Sequence, residues 1–516
     1  MTSHAGVDPA TVSWRSLAQA ADIETRLFVD GAFVEAAATE RLPSVNPATG
    51  RVLAHFSNGC DADADRAVLS AQAAFRSGSW SDLSPVARQA VLLQLAGLIE
   101  RDAVNLALLD SLQMGKPVRQ ALADAYWAAR FFRYYAEAAD KVAGAALPTD
   151  RWSLAFSRRA PQGVVTAIVP WNFPVVNAAI KLAPALVAGN AVVLKPSEIA
   201  SASALRLARL AYEAGLPKGV LNVVTGAGER IGAALARHPG VQMITFTGST
   251  RTGLRLMELV GQSGLRPLML ECGGKSAHIV FGDIEDLDTV ADRVAADIFR
   301  NQGQVCSAGS RLLVHSSLAR KLTDLIIERA RAIRPADPLL PETSFGPLAA
   351  AAQFERVMNY IQCGRDEGAV VAFGGRACME DSGGYFIEPT ILTNVDSRMR
   401  VAREEIFGPV LAILSFENEQ EAVRIANGTE YGLSATVWTN DMQRGQRVSH
   451  ALVSGVVTVL GDSPAGSGGG MALASEPWRQ SGFGVQGGVE GLYPFMRMKA
   501  VQFLFPRAGC GERVDA

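Results

Sequence analysis

The sequence predicts an α/β chain built around a doubly wound, Rossmann-type domain, and three observations predict it. Between about 160 and 275, short β-prone runs alternate with helical periodicity, the signature of a parallel sheet covered by helices. A second α/β stretch follows and makes a second lobe of roughly 200 residues. The chain has 516 residues, 48% of them hydrophobic, enough to bury a large core without disulfide or metal staples.

The elements follow in order. RLFVDGAFVEA, from Arg26, sets two β-prone runs around Asp30-Gly31, a hairpin signal, and Asn46-Pro-Ala-Thr-Gly50 is a second turn. The first ten or so residues read as a loose tail. Residues 61–142 carry apolar positions at three-and-four spacing and predict helices. From Gly163 the alternation begins: strand GVVTAIVPWN, helix AAIKLAPALVAG, strand AVVLKPS, helix SALRLARLAYEAG, strand VLNVVTG, helix ERIGAALARH, strand MITFTGS and helix TGLRLMELVG. AHIVF, RLLVH, AVVAFGG, AILSF and ATVWT are the strand candidates of the second lobe. The Gly-rich segment 461–470 predicts a mobile loop, and MKAVQFLF a terminal strand able to pair with another chain.

Composition excludes several classes of function. Forty-nine Lys+Arg against 51 Asp+Glu leave a net charge of −2 and no electrostatic footprint for nucleic acid. The cysteines, Cys60, Cys272, Cys306, Cys363, Cys378 and Cys510, form no CxxC pair and the six histidines are scattered, so no metal site is expected. The opening MTSHAGVDPATVSW lacks a basic n-region and an apolar h-region, and no run reaches the roughly 18 apolar residues of a membrane helix. The expectation is a cytoplasmic protein with no membrane partner.

A few residues can carry chemistry. Gly248-Ser-Thr-Arg-Thr-Gly253 joins a strand to a helix; it is either a phosphate-binding helix N-terminus or simply a tight turn. Lys195-Pro-Ser-Glu198 ends another strand, where a Lys and a Glu can grip two ribose hydroxyls or form an incidental ion pair. Cys306 lies in a polar, Gly-flanked turn with no histidine nearby in sequence; it is a nucleophile or a small buried hydrophobe. Glu271, at the end of an apolar run, is a general base or a charged strand terminus. Asn172, after the first strand of the parallel region, is an oxyanion donor or a turn residue.

Taken together, PWNFP, VLKPSE, FTGSTRTG, LECGGKS, FRNQGQVCSAG, EEIFGPV and SGFG, in that order, resemble the aldehyde dehydrogenase superfamily, from about residue 27 to 503. The resemblance implies an aldehyde dehydrogenase-like α/β fold. Residues 1–143 and 161–275 would form a Rossmann-type cofactor domain and 276–487 an α/β catalytic domain. Residues 144–160 with 488–516 would form a small β oligomerisation element joining subunits into a homodimer or homotetramer. It makes Cys306 the nucleophile, Glu271 the base and Asn172 the oxyanion amide, with the Cys306 N–H as second donor. Cofactor contacts would come from Val169, Trp171, Lys195, Ser197, Glu198, Gly228, Phe246, Gly248, Ser249, Gln353, Glu405 and Phe407. A Glu at 198 accepting the 2′-hydroxyl favours NAD, with NADP as second choice. The reaction implied is oxidation of an aldehyde to the acid through a thiohemiacetal and a thioester; members that pass the acyl group to coenzyme A do without the base at 271.

Within the family, GKPVRQALADAYWAARFFRYYAEAADKV and SGVVTVL resemble the branch acting on γ-glutamylaminobutyraldehyde and other ω-amino aldehydes. Asp124 stands where such enzymes can place an acid for the substrate's amine; otherwise it is a cap or surface charge. Val305 and Ser307 flank the nucleophile and would contact substrate. Arg300 replaces a usual aromatic and can attract a carboxylate, Leu460 replaces a usual Asn, Ile180 replaces an aromatic gate, and GSGGGMALASEPW replaces PFGG and brings in Trp478. Cationic, anionic and bulky apolar aldehydes all stay open as substrates. A redox-independent cysteine esterase and a non-catalytic family member are the other function classes.

Overall fold

The computed structural model describes residues 6–464 and 468–506. The strand–helix repetition forms an eight-stranded sheet whose parallel core runs, side by side, Leu221–Val223, Ala191–Lys195, Val164–Ile168, Met243–Thr247 and Leu268–Glu271. VVTAI and AVVLK are buried at every position, as continuous apolar strands covered on both faces must be. The chain lays down strands outward from Val164–Ile168 to Leu221–Val223, then crosses to the other side for Met243–Thr247. The crevice between the carboxyl ends of Val164–Ile168 and Met243–Thr247 is therefore the topological switch point, where open α/β sheets take their ligands.

The predicted hairpin, Leu27–Val29 with Ala32–Val34, closes one edge of this sheet. Positive φ at Asp30 (54°) and Gly31 (79°) gives the primed turn that matches strand twist. Gly482–Phe483 pairs antiparallel with Leu268–Glu271 at the other edge, although it comes from the stretch that the sequence reading places in the second lobe. Four helices, Asp61–Arg76, Pro85–Arg101, Ala103–Met114 and Val118–Glu137, occupy the region expected to be helical. The expectation of a loose N-terminal tail is corrected for residues 6–10, since residues 1–5 lie outside the described ones. Val7 N–H donates to the Tyr126 hydroxyl at 3.0 Å, and buried Trp14 donates its indole N–H to the Pro9 carbonyl at 2.9 Å. The anchoring of one large aromatic in the core pulls the preceding residues onto the helix surface.

The second sheet has seven strands in the order Val370–Phe373, Thr390–Thr393, Val410–Phe416, Arg311–His315, Ala277–Val280, Ser434–Trp438 and Val456–Leu460. All neighbours are parallel except the first pair. The five strand candidates are present. Thr390–Thr393 and Val456–Leu460 were not expected as strands; both are short runs without a period of their own. A third, antiparallel sheet joins Met496–Leu504, Ser153–Pro161 and Ala145–Leu147; residues 507–516 of the proposed bridging element lie outside the described ones. Of the Gly-rich segment expected to be mobile, 465–467 also lie outside. Its start is tied down, because the Asp462 carboxylate accepts from Asp286 N–H at 2.9 Å and from the Asn440 amide at 2.6 Å.

This topology positions the site. Glu271 ends a strand of the first sheet, whereas Cys306 and Glu405 lie in the segments leading into Arg311–His315 and Val410–Phe416 of the second. The carboxyl edge of one sheet thus meets the amino edge of the other.

Candidate active site

The turn carrying Cys306 is held in an uncommon backbone shape. Asn301, Gln302 and Gly303 have φ of 50°, 55° and 69°, left-handed values that are unfavourable for the first two. The Asn301 amide compensates by donating to the carbonyls of Asn172 (3.0 Å) and Gln304 (3.2 Å). At Gly303 a Cβ would lie 2.1 Å from the Gly408 carbonyl oxygen, so only glycine fits. Gln304 is bonded at both ends of its amide, to the Asn301 carbonyl and to Ala349 N–H. The glutamine-rich spacing is thus scaffold for the thiol. Burial pushes the Cys306 thiol up to about 12, with the Glu405 and Glu271 carboxylates acting in the same direction and the backbone N–H groups of Ser307 and Cys306 opposing. Val305 is buried beside it and Ser307 is exposed.

Asn172 comes from the first sheet and is bonded to this turn: its amide N–H donates to the Gln304 carbonyl at 2.9 Å, leaving a second amide hydrogen. Asn177 supports it with a 3.4 Å bond to its side-chain oxygen. Burial raises the Glu271 carboxyl above the ordinary carboxylate range, Lys181 pulls it back, and the like charge of Glu476 raises it further. Lys181 is completely buried and donates to the Gln486 side-chain oxygen at 2.9 Å; its burial lowers it, and the carboxylate of Glu271 opposes that. Cys272, next to Glu271, is buried against the helix Thr250–Ser263, where a Cβ at Gly253 would lie 2.9 Å from its sulfur.

The remaining expected contacts line the crevice. Val169 N–H donates to the Lys195 carbonyl at 3.0 Å and stitches two strand ends together. The Lys195 amine is buried and sits 3.2 Å from the Glu198 carboxylate, which reaches solvent. The Ser197 hydroxyl accepts from Ile199 N–H, and Gly228 opens a single π turn whose missing Cβ would stand 3.8 Å from the Lys195 amine. Phe246 lies under Gly248 so closely that a Cβ there would be 2.4 Å from its ring, and Ser249 caps the helix Thr250–Ser263 by accepting from Thr252 N–H. Across the crevice, Glu405 accepts from Gly274 N–H at 2.9 Å, while a Cβ at Gly273 would lie 2.5 Å from its other oxygen. The Phe407 ring, on a residue with φ of 60°, meets Trp171 edge-on at 5.5 Å. Glycines at a capped helix N-terminus, a buried amine beside an exposed carboxylate, and a second carboxylate with an oxygen to spare fit a dinucleotide: pyrophosphate against Gly248 and Ser249, ribose hydroxyls against Glu198 and Glu405. Gln353, expected as a cofactor contact, donates its amide to the carbonyls of Ile406 (3.2 Å) and Phe407 (2.7 Å) and so braces the loop carrying Glu405 and Phe407.

The substrate side brings a correction. Asp124 is neither a free acid for an amine nor a surface charge; it is buried in the helix Val118–Glu137 and ion-paired with fully buried Lys116. A buried amine needs a counter-charge, and Asp124 supplies it. The Lys116 amine lies 3.7 Å from the centre of the Phe173 ring, and the exposed Arg300 guanidinium lies 5.6 Å from the same ring. Arg300 has no ion-pair partner among the described residues. Trp478 is half exposed, in a two-residue strand against Tyr431–Gly432. Sequence reasoning missed Lys181, Arg356 and Glu476. Lys181 was visible as the lone charge in an apolar helix; Arg356, which donates to the Glu405 and Ile406 carbonyls, and Glu476 had no local signal.

A thiol, a carboxylate and an amide gathered where a dinucleotide-type crevice meets a second α/β sheet are the build of a cofactor-dependent oxidoreductase. The chain belongs to the aldehyde dehydrogenase family, whose description matches residues 33–501. It is 45% identical over 489 residues to the NADP/NAD-dependent aldehyde dehydrogenase PuuC of Escherichia coli (strain K12), covering 95% of this chain and 97% of the relative. Among solved structures, an indole-3-acetaldehyde dehydrogenase complexed with NAD+ superposes with a TM-score of 0.93 at 42% identity, covering 97% and 100% of the two chains. A γ-glutamyl-γ-aminobutyraldehyde dehydrogenase from Burkholderia cenocepacia superposes with a TM-score of 0.92, also at 42% identity and with the same coverage. The protein is an aldehyde-oxidising enzyme that uses NAD, with NADP as a possible alternative.

Proposed function

We propose that Cys306 is the nucleophile, Glu271 the general base, and the Asn172 amide with the Cys306 N–H the oxyanion donors. The observation that carries this is the convergence of these groups from separate segments of both sheets, with Asn172 bonded directly to the nucleophile turn. A thiol pushed up to about 12 is protonated at neutral pH, so attack on the aldehyde carbon requires a base to take its proton. Glu271, raised by burial, is matched to that task. The adduct's oxyanion falls to the second Asn172 hydrogen and the backbone N–H; loss of one such donor costs about 10²–10³ in rate. Bound NAD supplies the hydride acceptor. The thioester left on Cys306 is hydrolysed by water that Glu271 deprotonates, giving the acid and the free thiol. Lys195 and Glu198 would grip the adenosine ribose, Gly248 and Ser249 the pyrophosphate, and Glu405 with Phe407 the nicotinamide ribose and ring.

The substrate we infer is a γ-glutamylamino aldehyde. With Asp124 neutralised by Lys116, the unpaired Arg300 guanidinium is the charge available at the site, and it suits the carboxylate of a glutamyl tail. A bare ω-amino aldehyde would meet that cation unfavourably. The family's small β element supports assembly as a homodimer or homotetramer, and no helix among the described residues is long and apolar enough to cross a membrane. The test of the mechanism is Glu271→Gln: without the base thiol attack slows but still completes, and deacylation fails, so NADH appears as one slowed first-turnover burst and then stalls. An unchanged steady state overturns the assignment.

A further inference from the structure

Behind the nucleophile turn lies a buried polar network that the chemistry above does not use. His278, on the strand Ala277–Val280, is 2% exposed. Its Nδ1 is 3.3 Å from the indole Nε1 of Trp438, itself fully buried on the neighbouring strand. Its Nε2 is 3.1 Å from the Asp297 carboxylate, on the last turn of the helix Leu287–Phe299. The same carboxylate oxygen accepts from Gly309 N–H at 2.8 Å. Gly309 follows Cys306 by three residues, and a Cβ there would lie 2.2 Å from the imidazole, so the ring is packed directly on the backbone of this turn.

The polarity of the network is determined by chemistry. An indole N–H can only donate, so Nδ1 must accept and the imidazole proton resides on Nε2. Nε2–H then donates to Asp297, and every donor in the chain runs toward one carboxylate. Burial works against the charge on Asp297, but the His278 and Gly309 hydrogen bonds prevail and hold it below the ordinary range.

We propose that His278 and Asp297 are positioning residues for the nucleophile: the one-way chain Trp438–His278–Asp297 clamps the backbone at Gly309 and so fixes the turn that presents Cys306. The inference rests on Cys306 being the nucleophile. The Ala308 N–H to Val305 carbonyl bond, at 3.1 Å, closes the turn just before the clamp, so movement at Gly309 is transmitted to the sulfur and to the N–H groups around it. A displacement of about 1 Å at a reacting centre costs about 10²-fold in rate.

The experiment measures alkylation of Cys306 by iodoacetamide, followed by mass spectrometry, together with the NADH burst, NAD affinity and melting temperature of the full-length enzyme. In Asp297→Leu, close to the native residue in size, the acceptor shared by the Nε2 proton and Gly309 N–H is lost; in His278→Leu the chain is cut at the imidazole. Both are expected to slow alkylation and burst about tenfold or more, with NAD affinity unchanged. His278→Gln keeps a donor toward Asp297 and an acceptor for Trp438 and is expected to restore near-native rates. Native alkylation rates in Asp297→Leu, or a His278→Gln no better than His278→Leu, overturn the proposal. If the leucine variants do not fold, Asp297→Ala against His278→Gln decides. Wild-type enzyme that keeps its turnover after complete Cys306 alkylation would instead overturn the nucleophile assignment.

Discussion

At the scale of single residues, the site is a problem of unpaired charge. Lys116, Lys181, Lys195 and Lys275 are all buried; the first three have polar partners, Glu198 close by in sequence for Lys195, and Asp124 and Gln486, which the sequence does not reveal, for Lys116 and Lys181. Asp124 shows why partners matter. Its position in the chain resembles an amine-binding acid, yet the adjacent buried amine takes its charge, and no spacing rule reveals that a lysine eight positions earlier turns inward. Arg300 is the opposite case, a cation without an ion-pair partner among the described residues. If it receives the substrate's carboxylate, Arg300→Phe should raise KM for γ-glutamylaminobutyraldehyde about tenfold, a loss of about 1.4 kcal/mol, and leave KM for a neutral aldehyde unchanged. Equal effects on both substrates in steady-state kinetics would remove Arg300 from the specificity argument. Cys306 itself was legible because a specific run of residues surrounds it; the scaffold role of Asn301, Gln302 and Gln304 was not, because positive φ and bonds to the other sheet are tertiary facts.

At the scale of elements, strand ends decide the chemistry. The parallel strands were readable from their apolar runs, and their carboxyl termini carry Val169, Lys195, Gly248 and Glu271 to one edge by topology alone. The late segment around the Ser475–Gln486 bridge was not readable, since Gly482–Phe483 is too short to show a period. It nonetheless places two groups around the base: Gln486 holds Lys181, and Glu476, anchored by Gly484 N–H at 2.8 Å, repels the ionised form of Glu271. The sign follows. A like charge raises the pKa of Glu271, so its removal in Glu476→Gln lowers it, and the acid limb of the kcat–pH profile for deacylation should move to lower pH. A limb that stays in place or moves upward would show that Glu476 does not act on the base.

At the scale of the whole molecule, two sheets are locked edge to edge by the Asn172–Gln304 and Gly274–Glu405 bonds, and a third sheet stands apart. That third sheet exposes Met498, Phe503 and Leu504 on its strand Met496–Leu504, apolar surface at an open edge. If this edge joins subunits, Met498→Asp with Phe503→Asp should reduce the assembly to monomers in sedimentation analysis, while the native chain sediments as a dimer or tetramer. A native monomer would refute that role for the element.

The sequence by itself determined the family, the α/β class and the order of most strands, and it picked out the thiol, carboxylate and amide proposed for the chemistry, because these depend on local periodicity and on contiguous motifs. Tertiary structure alone decided which charges are paired, which glutamines brace the loops of the site, and which late residues crowd Glu271. Those outcomes depend on burial and on partners brought together from distant segments, and desolvation, which sets the state of Cys306, Glu271 and Lys181, exists only once the two sheets have closed on one another.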